Sequence, residues 1–190
     1  MAEGSAKDKI LNAATFLFYK YGISNTGINS ITEHAKVAKM SLYNNYNDKS
    51  ELIADYINLI ISDWLKRYED KNRKSFTPIE KILAIFDTYI ESNEFFCGEL
   101  YRGCGLINAS VEFDLNSKEI MYIKKHKDNI EGILEKNIKC IINDPIKSKK
   151  ITRVISYLLE GSLIKSGLES DFEKIKEARY LVVSILVGDI

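Results

Sequence analysis

Apolar residues recur at spacings of three and four along almost the whole chain, the period of helices that bury one face. Ile10, Leu11, Ala14, Leu17, Phe18 and Tyr21 share one face of a first helix, and Gly22 follows where a left-handed C-terminal cap is wanted. Ile28, Ile31 and Ala35 form a second stripe about two turns long. After a break at Lys36, Val37 and Leu42 continue that surface into a short third helix over about 39–45. Asp48 and Glu51 have capping-box spacing and open a long fourth helix. Its apolar residues, from Leu52 and Tyr56 through Trp64 to Tyr68, cover a wide arc and predict packing on two sides. The hydrophilic stretch 69–75 is expected to be a loop or a frayed helix end.

The second half follows the same logic. Thr77, Pro78 and Glu80 give a hydroxyl cap, a proline in the first turn and a carboxylate three residues after the cap, so a fifth helix begins there. Three glycines within 93–105 predict an irregular stretch before a short helix near 105–112. Ser117 caps a long helix that Asn143, Asp144 and Pro145 stop. Two further helices are expected over about 147–167 and 171–188, with Ser170 and Glu173 forming a capping box for the last. The fold class is therefore all-α. It comprises an N-terminal three-helix helix-turn-helix domain over 1–48 and a C-terminal helical domain over 49–190.

Composition narrows the function. The chain of 190 residues is 45% hydrophobic with only two prolines, which suits a packed helical protein and not a disordered one. Lysine and arginine balance aspartate and glutamate at 27 each, so nucleic acid is not advertised by net charge. Residues 1–50 nevertheless carry six lysines against four acidic residues, and a DNA reader needs only a local basic surface. The start MAEGSAKDK lacks the pattern of a signal peptide, and no apolar run approaches the roughly 20 residues of a membrane span. Cys97, Cys104 and Cys140 are odd in number and lack metal-site spacing, so they read as thiols in a reducing cytoplasm.

Catalytic patterns are missing. The glycines at 98 and 103 have the spacing of a phosphate loop, but Cys104 and Gly105 stand where lysine and a hydroxyl would be needed. His34 and His126 lie on different helices without zinc-ligand spacing. No enzyme, metal or cofactor is expected.

What stands out is the polar outer face of the third helix: Lys39, Ser41, Tyr43, Asn44 and Asn45 with Met40 among them. A helix pair with such a face fits a major groove, where short polar side chains read base edges. Asparagine pairs best with adenine, and Met40 can pack on a thymine methyl, so A·T content in the half-sites is expected. Thr26 and Gly27, which open the pair, are counted with this DNA-binding set. Lys49 joins it because a cation at a helix N-terminus opposes the dipole, and a phosphate partner gives it a reason to be there.

Residues 7–56 resemble the DNA-binding domain of the tetracycline-repressor-like (TetR) family. The likeness rests on KDKILNAATFLFYKYGISNTGINSI and VAKMSLYNNYNDKSELI, within which Leu42, Tyr43, Tyr46, Lys49 and Leu52 hold the family's most typical places. Residues 101–112, YRGCGLINASVE, resemble a stretch in the ligand-binding half of one branch. Three positions depart from the pattern: Lys36 stands where many members have glycine, Met40 where a small residue is usual, and Thr32 where alanine is common. The resemblance implies a homodimeric repressor that binds double-stranded operator DNA and is released by a small-molecule inducer. It implies that the Tyr43 hydroxyl meets a phosphate, and that a ligand cavity lies among the C-terminal helices. Candidates for that cavity are Phe86, Tyr89, Phe96, Cys104, Asn108, Tyr122, His126 and Tyr157. Cys104, with Arg102 beside it to stabilise a thiolate, is also a candidate sensor of electrophiles. The apolar faces of the last two helices, Ile151 to Leu163 and Ile175 to Leu186, are expected to dimerise. The competing reading is a helical thiol-sensing or protein-interaction module with little specific DNA affinity.

Overall fold

The computed structural model describes residues 4–97 and 101–189; the side chains of 92–97 lie outside that description, and with them the expectations for Phe96 and for the glycine at 98. Nine helices occur among the described residues. They group into two compact units: the chain up to Ile61 with Gly105–Ile123, and Ser62–Cys104 with Lys124–Ile190. This grouping differs from a single cut at residue 48, because a 24-residue helix belongs partly to each unit.

The first unit starts with α1 (Ala6–Tyr21), capped by a reciprocal pair in which Ser5 Oγ accepts from the Asp8 N–H and Asp8 accepts from the Ser5 N–H. Ile10, Ala13, Ala14, Leu17 and Phe18 are its buried face. Gly22 closes the helix with φ 88° and ψ 158°, a positive φ outside the left-handed helical well that the sequence pattern called for. The pair α2 (Ile28–Ala35) and α3 (Lys39–Tyr43) packs on α1, joined through Lys36 in the left-handed conformation at φ 55° and ψ 44°. A side chain with a Cβ at that position costs on the order of 1 kcal/mol over glycine.

The first half of α4 (Lys49–Asn72) follows, and α6 (Gly105–Ser110) and the start of α7 (Lys118–Ile141) complete the unit. Asp48 caps α4 by accepting from the Glu51 N–H at 3.0 Å. The reciprocal bond is displaced by one residue: Glu51 accepts from the Asn47 N–H at 2.8 Å. The core of this unit is built on Ile31, Leu42, Tyr46, Leu52 and Tyr56, with Phe18 edge-on to Tyr56 at 5.3 Å.

The second unit contains α5 (Pro78–Cys97), α8 (Pro145–Glu169), α9 (Glu173–Val187) and the remainders of α4 and α7. Helix α4 ends at Asn72, inside the stretch expected to be a loop or a helix end, and α5 stays helical to Cys97, so part of the stretch expected to be irregular is helix. In α5 the glycines that motivated the expectation all lie beyond its end. Its start is as the sequence indicates: Thr77 Oγ1 accepts from the Glu80 N–H and the Glu80 carboxylate accepts from the Thr77 N–H. Asp144 both ends the linker and caps α8, accepting from the Ile146 and Lys147 N–H groups. Ser170 does not cap α9. It is the left-handed C-terminal cap of α8, with φ 55°, and Asp171 accepts from the Glu173 N–H in its place. Arg179 on α9 donates to both carboxylate oxygens of Asp87 on α5 at 2.7 and 3.2 Å. The segment 101–104 crosses α8 backbone to backbone: a Cβ on Gly103 would lie 2.7 Å from the Leu163 carbonyl, and one on Gly167 would lie 2.7 Å from Arg102.

Candidate functional site

Helix α3 is only five residues long, too short to persist alone. It is held by Leu42, fully buried, and by Tyr46 just beyond it. The anchor turns the other side of the helix outward. Lys39, Met40, Tyr43 and Asn44 are exposed, Met40 at 71%. Ser41 and Asn45 are half-buried, and the Asn45 amide donates to the Ser41 carbonyl at 2.7 Å. Gly27 is exposed at the N-terminus of α2.

Two of the residues counted with this face look inward. Thr26 is buried, and its hydroxyl donates to the Gly22 carbonyl at 2.7 Å. The Lys49 ammonium donates to the Ile23 carbonyl at 2.5 Å and stands over the Phe18 ring at 5.9 Å. Burial lowers its pKa, against the opposing charge of Glu112. The structure thus gives Lys49 an internal partner, so a phosphate is not needed to explain a cation at that helix start.

Glu112, two residues past α6, was visible in the sequence only as the end of a motif. Its two carboxylate oxygens accept from the Ile23 N–H at 2.8 Å and the Ser24 N–H at 2.7 Å. These bonds outweigh the cost of partial burial and hold the carboxyl below its ordinary range. No local signal reports such a contact, since the partners are 89 and 88 residues apart.

The second unit holds a different cluster. The Lys127 ammonium reaches the Tyr89 hydroxyl at 3.1 Å, the Glu160 carboxylate at 3.0 Å and the Cys104 sulfur at 3.7 Å. Burial works against that charge, but Cys104, Tyr89 and Glu160 together keep Lys127 protonated and raise its pKa. Burial likewise pushes the Tyr89 phenol up. Beside them Trp64 packs edge-on to His126 at 5.2 Å and against Tyr89 at 5.5 Å. His126 is 3% exposed, and burial, aided by the Lys127 charge, lowers its pKa to about 4, so the ring is neutral at pH 7. Trp64 Nε1 and His126 Nδ1 are buried without hydrogen-bond partners among the described residues.

Of the eight cavity candidates the structure therefore gathers Tyr89, Cys104 and His126, with Phe86 fully buried in the same unit. Tyr157 is 70% exposed and lines a groove on α8 and α9. Tyr122, 57% exposed, and Asn108, also exposed, belong to the other unit. A cation beside Cys104 is Lys127, which the sequence reading did not single out. Lys127 had a signal: with Ile123, Ile130 and Leu134 it keeps the spacing of the buried stripe of α7, where a lysine has to find partners.

A short helix with an outward polar face, seated on a second helix through a tight turn, is the reading pair of a helix-turn-helix DNA-binding protein. Residues 10–56 match the family model for bacterial regulatory proteins of the tetR family. The chain is 26% identical to the HTH-type transcriptional regulator LmrA of Bacillus subtilis over 176 residues, 87% of this chain and 88% of that protein. It is 27% identical over 107 residues to the HTH-type transcriptional regulator QacR of Staphylococcus aureus, covering 56% of this chain and 53% of that one. A TetR-family transcriptional regulator from Streptomyces coelicolor superposes with a TM-score of 0.86 at 20% identity, over 96% of this chain and 95% of that chain. A TetR regulator from Legionella pneumophila gives 0.81 at 20% identity, over 97% and 99%. Residues 10–56 thus match the tetR family, and the chain is similar over most of its length to a transcriptional regulator of the helix-turn-helix type.

Proposed function

We propose that the protein is a homodimeric repressor that binds a palindromic operator in the cytoplasm and releases it when a small molecule binds its C-terminal domain. The observation that carries DNA recognition is the outward face of α3, where Lys39, Met40, Tyr43 and Asn44 stand exposed around a buried Leu42. Residues 1–48 do the reading; 49–190 dimerise and bind the effector. No helix among the described residues is long and apolar enough to cross a membrane.

The effector site is centred on Tyr89, His126 and Trp64, whose two unpartnered buried nitrogens are open to hydrogen bonding by a bound molecule. Dimerisation is supported by the exposed apolar residues Val154, Tyr157, Ile164, Leu168 and Tyr180 on α8 and α9. They stand near a groove of about 380 Å³ lined by Leu158, Gly161, Ala178 and Leu181.

Selection of bound duplexes from a random library by the purified protein tests the reading. The expected product is a palindrome with A·T-containing half-sites spaced by one helical turn, roughly 34–36 Å. Tyr43→Ala should weaken binding to every selected duplex, and Asn44→Ala should relax preference at one base position by about 1–3 kcal/mol. Selection that enriches no sequence overturns the proposal.

A further inference from the structure

Resting on the DNA-binding reading, we infer that Glu112 is a positioning residue for operator recognition: its carboxylate grips the loop that delivers the chain into the reading pair. The loop 22–27 starts where α1 ends: the Gly22 N–H still donates to the Phe18 carbonyl, but the next N–H groups, those of Ile23 and Ser24, lie past the helix and need another acceptor. Glu112 supplies one. Each oxygen takes one N–H, at 2.8 Å from Ile23 and 2.7 Å from Ser24. The same Ile23 is held from its other side, because its carbonyl accepts from Lys49, the first residue of the helix that follows α3. One residue is thus fixed through its N–H by a carboxylate and through its C=O by an ammonium. Both ends of the α2–α3 pair are tied to it, the entry through the loop and the exit through Lys49.

A second, independent feature marks the site as built for a carboxylate. Gly22 has φ 88°, and a Cβ there would lie 3.0 Å from Glu112 Oε1. Only glycine combines that backbone with room for the oxygen. The segment that carries Glu112 begins at Gly105, one residue after Cys104 in the chain. A displacement of Glu112 by about 1 Å stretches both bonds past the range of a hydrogen bond and leaves two backbone donors unpaired. The reading pair then loses the contact that fixes its entry loop.

Charge makes the test sharp. If Glu112 acted on DNA only through its field, removing its negative charge would strengthen binding to a polyanion. A positioning role predicts the reverse. The duplex is the one that the wild-type protein selects from a random library, and affinity is read by fluorescence anisotropy at several salt concentrations. Glu112→Gln should bind about tenfold more weakly, with an unchanged slope of log affinity against log salt, because no phosphate contact is lost. Gly22→Ala should weaken binding by a similar factor. The double variant should be no worse than the weaker single one, since both act through one contact. Amide exchange of Ile23 and Ser24 should accelerate in Glu112→Gln while the α1 core amides remain protected, which separates loss of grip from unfolding. Wild-type or tighter binding by Glu112→Gln, or full additivity with Gly22→Ala, overturns the inference. Unchanged exchange at Ile23 and Ser24 overturns it as well. Failure of the wild-type protein to select any duplex overturns the DNA-binding reading itself, a distinguishable result.

Discussion

At the scale of single residues, titration behaviour follows from who is buried beside whom. His126 is neutral because burial and the Lys127 charge lower its pKa from 6.5 to about 4. The unfolded chain therefore takes up a proton below pH 6.5 that the folded chain refuses until about pH 4. Stability is full above the unfolded value and falls through that window, by about 3 kcal/mol in all. Denaturant titrations between pH 7 and pH 4 should show this slope, and His126→Leu should flatten it. Glu112 has the same sign lower down: its grip is present above the unfolded carboxyl range and is lost as pH falls through the depressed folded value. Lys127→Met should destabilise by about 1–3 kcal/mol, because Glu160 is left partly buried without its cation. Pairing it with Glu160→Leu should recover most of that loss. Lys36→Gly should stabilise by about 1 kcal/mol, read as a rise in melting temperature, since the residue is held at φ 55°.

At the scale of elements, the helices were legible wherever a local pattern carried them. The stripe of α1, the cap at Thr77 and Glu80, the cap at Ser117 and the stripe of α2 each lie within a dozen residues of sequence, and each is present in the structure. The errors have local rivals as their cause. Ser170 carries a hydroxyl suited to an N-terminal cap, yet α8 outran its expected end and took that residue for its own termination, while Asp171 met the free N–H of α9. Helix α5 continued through 93–97 because the helix breakers begin only beyond it. The outward face of α3 was legible because a short helix with one buried anchor leaves most of its other side chains exposed. Lys49 and Glu112 were not legible in their roles, since the Ile23 peptide that joins them is 26 residues from one and 89 from the other.

At the scale of the molecule, overall neutrality hides an uneven surface, and function is carried by faces. The groove on α8 and α9 mixes Lys165, Lys174 and Glu177 with Leu158 and Leu181, a polar rim around apolar ground. Two copies meeting there would cover Tyr157 and Ile164, so Tyr157→Arg combined with Ile164→Glu should yield a monomer by light scattering at micromolar concentration. Operator affinity should then fall steeply, because half-sites read by separate chains lose their effective concentration. The crossing of Gly103 and Gly167 has a consequence of another kind. At Gly103 and Gly167 the obstacles are backbone atoms of α8 and of Arg102, and backbone cannot be trimmed by a compensating mutation. Most crowded positions in a core can drift, one partner shrinking as the other grows. This one has no such route, so a library randomised at both positions together should return glycine at each as stringently as at either alone, leaving the lineage two letters it can change only by rebuilding the crossing.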